Sequence, residues 1–215
     1  MARDTMAKKM AQQRLLIFNS QDPEVFPHLE QMGIDNEYIE TGKTIFNTVV
    51  KLGETQKKEY QAQDLIYDNY HDAKEQCKKL YKQTLKIIKM ASRSDSNLQD
   101  RIKIKVTRER NIEDWIKQAV EFYNLTLNEP GFLEKIAKYG LTVEKLTIQK
   151  DDIAALQTMR NDAMSGKGKA QEATSARDKK IEELDDYCYE LETIATIALE
   201  DHPQLLEKLG ITIKK

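Results

Sequence analysis

Two cysteines, four prolines and eight glycines are all that the 215 residues contain, and aromatic side chains make up only 7%. Two cysteines, Cys77 and Cys188, cannot build a disulfide framework, so a reducing compartment, the cytoplasm, is expected. So few turn formers exclude a fold rich in short strands and tight turns. No apolar run approaches the roughly 20 residues that span a bilayer, so no membrane partner is expected. Leu15 to Phe18, behind Arg3, Lys8 and Lys9, is too short for the core of a signal peptide. A net charge of −2 favours neither nucleic acid nor an anionic membrane as partner of the whole molecule.

What is present suits helices. Charged residues make up 33% of the chain and apolar residues 40%, enough for amphipathic helices that bury one face. The expected fold class is all-α.

Laid over itself, the chain repeats at an offset of 107 residues. Asp22-Pro23 opens a stretch holding Phe26, Leu29 and Met32 and closing on Gly33-Ile34-Asp35. Glu129-Pro130 opens another, with Leu133, Ile136 and Tyr139, closing on Gly140-Leu141-Thr142. The same offset superposes Leu15 and Phe18 on Phe122 and Leu125, and Ile39, Phe46 and Val49 on Leu146, Ile153 and Leu156. Proline fits a first helical turn, where its missing N–H costs nothing. Gly33 and Gly140 fit the left-handed residue that ends a helix, and Asp35 and Thr142 are good caps for the next.

The sequence thus predicts two tandem copies, residues 1–107 and 108–215. Each has a leading helix (5–19, and from about Asn111), a short helix from Pro to Gly, and a long helical hairpin. The hairpins span about 36–93, turning near Gly53, and about 143–199, turning at Ser165-Gly166-Lys167-Gly168. Packed together they give an antiparallel four-helix bundle. Ile102, Ile104 and Val106 alternate as an extended segment would.

Charge divides the copies. Residues 74–108 hold 11 basic and 3 acidic residues, whereas 181–215 hold 3 basic and 9 acidic. Lys74, Lys78, Lys82 and Lys86 recur every fourth position, and Lys89 and Arg93 continue the stripe. Opposite charges on neighbouring arms would fix their pairing. The alternative is an interaction surface for an acidic protein, or for nucleic acid or another polyanion through residues 74–110.

No catalytic, cofactor or metal motif stands. Gly42-Lys43-Thr44 lacks the earlier glycine of a phosphate-binding loop, Glu37 standing there instead. His28, His71 and His202 do not form the Glu-x-x-His pairs of a di-metal bundle. Cys77 and Cys188 read as buried small hydrophobes. Trp115, Ile116, Ala119 and Phe122 read as a core face, and Tyr60, Tyr67, Tyr70 and Tyr81 as a packing stripe.

The tail from Ile194 to Ile211, through Glu200-Asp201-His202-Pro203, resembles the chain ends of a loose group of uncharacterised bacterial helical proteins. The resemblance implies the fold and no activity. The function expected is a non-enzymatic helical scaffold that binds another protein or itself, with no cofactor.

Overall fold

The computed structural model describes residues 2–107 and 109–212, and among these it is helical with no strand. The helices are α1 (Ala2–Asn19), α2 (Phe26–Glu30), α3 (Asn36–Ala91), α4 (Ser96–Arg101), α5 (Ile112–Leu127), α6 (Pro130–Ala137), α7 (Val143–Ala198) and α8 (Pro203–Lys208).

The expected hairpins do not form. α3 and α7 are each a single helix of 56 residues, running through Gly53 and through Ser165 to Lys169 without a turn. Gly53 and Gly168 have open space where a side chain would stand, so glycine in mid-helix costs only propensity there. The alternating segment 102–106 is also not extended. Ile102 caps α4 and Lys103 turns the chain at a φ of 55°.

Helix punctuation follows the local chemistry. Gly33 and Gly140 take φ values of 89° and 76°. The next amides, of Ile34 and Leu141, donate back to Leu29 and Ile136 at 3.1 and 3.4 Å, closing the helix ends as Schellman motifs do. Asp35 accepts from the Tyr38 amide at 2.8 Å and Thr142 from the Lys145 amide at 3.2 Å, capping α3 and α7. Pro130 and Pro203 begin α6 and α8; α2 begins at Phe26, three residues after Pro23, with Pro27 in its first turn.

The chain divides into two compact units. Unit 1 comprises Met1–Glu59 and Ala170–Lys215; unit 2 comprises Tyr60–Lys169. Neither coincides with 1–107 or 108–215, because an unbroken α3 or α7 carries its second half into the unit that lacks its first.

Unit 1 holds α1, α2, the first half of α3, the second half of α7 and α8. Its two long segments run antiparallel, with Gly42 against Tyr187 and Gln56 bonded to Thr174 and Arg177. Ile17, Leu29, Ile39, Leu184, Leu191 and Leu199 fill its core. The motif Gly42-Lys43-Thr44 lies inside α3. The Tyr187 ring abuts Gly42, Lys43 bonds Glu40 and Gln21, and the Thr44 hydroxyl donates to its own helix, so none cradles a phosphate.

Unit 2 holds the second half of α3, α4, α5, α6 and the first half of α7. Trp115, Ile116, Ala119 and Phe122 are buried, as is Tyr123, with Ile88, Ile136, Leu146, Ile153 and Leu156. Tyr81 lies edge-on to Trp115 and Phe122, at centroid distances of 5.8 and 5.4 Å, a preferred aromatic geometry. Of the tyrosine stripe only Tyr70 and Tyr81 are buried; Tyr60 and Tyr67 are exposed.

Candidate docking face on α3

In unit 2, the buried side of α3 is set by Tyr70, Cys77, Tyr81, Thr84 and Ile88, spaced three, four or seven apart. That spacing turns the lysines outward. A strict four-residue repeat winds about 40° per step around a helix with 3.6 residues per turn, so the stripe does not stay on one face. Lys74 and Lys78 are half-buried at its flank, while Lys82, Lys86, Lys89 and Arg93 stand exposed. Lys79, which the four-residue repeat skips, joins the exposed set; counting three-residue steps as well would have found it.

The neighbours of these cations differ. Lys78 pairs with Glu75 at 3.3 Å, and the Lys74 ammonium lies 5.5 Å from the Tyr70 ring centre. The same Lys78 pairing holds the exposed Glu75 carboxyl below its usual range. Among the described residues, Lys79, Lys82, Lys86, Lys89 and Arg93 make no ion pair. Some other cations of unit 2 are engaged: Arg101 grips Glu129 through two bonds of 2.7 and 2.9 Å, Lys103 bonds Glu121 and Lys105 bonds Asp100.

Beside the row is a recess of about 540 Å³ with Lys74, Lys78, Lys82 and Arg110 at its rim and one acid, Glu109. Tyr70 and Trp115 also line it, but at 9% and 3% exposed they present little ring surface to solvent. The arrangement can hold carboxylates or phosphates by charge; it offers no flat aromatic surface for stacking a base.

Of the two oppositely charged arms, residues 74–91 lie in unit 2, where Thr84 bonds Gln149, and residues 181–198 lie in unit 1, where Tyr187 bonds Tyr38. Unit 2 carries 20 basic and 16 acidic residues, a net +4; unit 1 carries 14 and 20, a net −6. On α7, Asp185 is bound by Lys9 at 2.6 Å and Gln13 at 2.7 Å. Glu182, Asp186 and Glu190 are exposed and in no ion pair among the described residues.

The remaining candidates are structural. Burial pushes the Cys77 thiol up to about 11 and the Cys188 thiol to about 12, so both are neutral, free thiols. His28 and His202 lie ring to ring at 4.7 Å, and no group of three or more metal-ligating side chains occurs among the described residues. No described helix is long and apolar enough to cross a membrane. No protein-family model, curated protein or solved structure matches this chain.

Proposed function

We propose that this chain is a non-catalytic helical scaffold that docks an acidic protein surface on the outer face of α3. The observation that carries the reading is the row Lys79, Lys82, Lys86 and Lys89 on one side of α3, with Arg93 just past its end, all exposed and in no ion pair among the described residues. Solvated lysines on a helix normally find acids three or four positions away; here Glu75 alone serves the row. Binding of a fluorescent oligoglutamate peptide, followed by anisotropy at low salt, tests it. Lys79→Glu, Lys82→Glu and Lys86→Glu together should weaken binding at least about tenfold, as charge-complementary contacts require. Unchanged affinity would refute the docking face, and turnover abolished by a point substitution would refute the non-catalytic assignment.

A nucleic acid is the second reading. Lys74, Lys78, Lys82 and Lys86 rise about 6 Å per step along α3, a regular ladder that also suits a phosphate backbone. Tighter binding of an oligonucleotide than of an oligoglutamate of equal charge would favour it. Its affinity should fall with salt, with a log–log slope of about −0.7 per phosphate neutralised for a single strand.

We further infer that the chain arose by tandem doubling, and that each unit combines the front of one copy with the back of the other. Matching ends support this: α3 and α7, and likewise α4 and α8, begin and end 107 residues apart. So do matching bonds. Arg101 holds Glu129 in unit 2, and at the same offset Lys208 approaches Asp22 at 3.5 Å in unit 1. The left-handed pairs Gly33 and Gly140, and Lys103 and Gly210, are likewise 107 apart. A reducing, cytoplasmic setting and the kinship of the Ile194–Ile211 tail with bacterial helical proteins belong to the same proposal.

A further inference from the structure

We propose that the acidic partner of the α3 face is a second copy of this chain, which presents the exposed face of α7 in unit 1. This rests on the docking reading above and names its occupant.

The two faces hold equivalent places in α3 and α7. Lys79, Lys82, Lys86 and Met90 on α3 stand 107 residues before Asp186, Tyr189, Thr193 and Ile197 on α7. Glu182 and Glu190 flank the second set. Neither face carries an ion pair among the described residues.

Each face also carries uncovered apolar surface inside its charges. Tyr189 is 76% exposed, Ile197 57% and Met90 54%. An exposed tyrosine framed by carboxylates, opposite a row of lysines framing a methionine, supplies apolar contact at the centre and ion pairs at the rim. That is the usual anatomy of a protein interface.

Charge decides which face meets which. Two lysine faces repel, as do two acidic faces, so a symmetric contact of like with like is disfavoured. The favoured contact joins α3 of one copy to α7 of the next. Such a head-to-tail contact leaves one face free at each end and grows into a ring or an open chain. A net charge of only −2, split as +4 and −6, removes the overall repulsion that would keep copies apart.

Sedimentation velocity of the full chain tests this at about 0.01 M salt, where the screening length is about 30 Å, and at about 1 M, where it is about 3 Å. The mass should rise with protein concentration at low salt and return to 24.9 kDa at high salt. Lys79→Glu, Lys82→Glu, Lys86→Glu should stay monomeric at low salt, as should Glu182→Lys, Asp186→Lys, and mixing the two variants should restore association. Circular dichroism confirms that both variants fold, and Lys→Gln versions of the first provide the milder control. A wild type that is monomeric at low salt, or a lysine-face variant that still associates, overturns the proposal. If the monomeric wild type nevertheless binds oligoglutamate through the same lysines, the docking face stands and only its occupant is wrong; if it binds neither, both fall.

Discussion

The ring of Tyr187 occupies the space where a side chain on Gly42 would begin. A Cβ on Gly42 would lie 2.4 Å from the Tyr187 Cε1 and Cζ atoms. The ring cannot easily yield, because its hydroxyl donates to the Tyr38 carbonyl at 2.9 Å and it stacks on the Tyr38 ring at 4.8 Å. α3 and α7 therefore approach each other in unit 1 through a position that only glycine fits.

Gly42→Ala should destabilise the protein although alanine is the better helix former. Propensity favours alanine by about 1 kcal/mol, but overpacking a close contact costs about 1–3 kcal/mol. Urea denaturation measures the difference. Adding Tyr187→Leu should recover part of the loss; two strictly additive substitutions would show that the contact is not the cause.

In unit 2, the buried Gln149 accepts two hydrogen bonds at one oxygen, from the Thr84 hydroxyl at 2.8 Å and the Tyr123 hydroxyl at 2.9 Å. Gln149→Leu removes the acceptor that both donors share, and a buried hydroxyl left unsatisfied costs about 1–3 kcal/mol. Removing the donors as well, with Thr84→Val and Tyr123→Phe, should return much of that stability. Denaturation midpoints of the single and triple variants decide it.

Stability should fall as the solution turns alkaline. Burial raises the Cys77 thiol from 9.0 to about 11 and Cys188 to about 12, and it pushes the Tyr123 and Tyr187 phenols upward as well. Each folded group holds its proton to a higher pH than it does unfolded. Its contribution is thus complete below pH 9 for the thiols and is lost as pH rises through the folded values. Thermal scans from pH 8 to about 11 should show a falling midpoint, less steep in Cys77→Ala, Cys188→Ala. A flat profile would contradict the burial of these groups.

Much of this fold was legible because its signals are local. Gly33 with Asp35, and Gly140 with Thr142, mark helix ends through a left-handed backbone and a side-chain acceptor, chemistry confined to a few residues. The Trp115–Phe122 face follows from its spacing alone. The continuity of α3 and α7 was not legible. A long apolar stripe is buried equally well whether the chain folds back on itself or runs on to pack against another long helix, and glycine is compatible with both. Gly166-Lys167-Gly168 therefore read as a turn although it lies in a helix. Lys79 escaped notice as a member of the row because it lies off the four-residue repeat.

Lys103 should gain stability on replacement by glycine. Its φ of 55° costs an ordinary residue about 1–2 kcal/mol, and Gly210 fills the matching place at 76°. The exposed pair with Glu121 that is lost contributes at most about 1 kcal/mol. Lys103→Gly should therefore raise the unfolding midpoint slightly, whereas Gly210→Ala should lower it. Equal effects of both changes would argue against the left-handed turn.

The unbroken helices underlie everything above, since they divide the two charged arms between two units. The most direct measurement is the unfolding free energy of Gly53→Ala and Gly168→Ala, at the two places where a hairpin would turn. Both glycines lie in mid-helix with open space beside them, so each substitution should stabilise the protein by about 0.5–1 kcal/mol. Loss of stability at either position would mean that the glycine serves a turn, and would contradict the continuous helix.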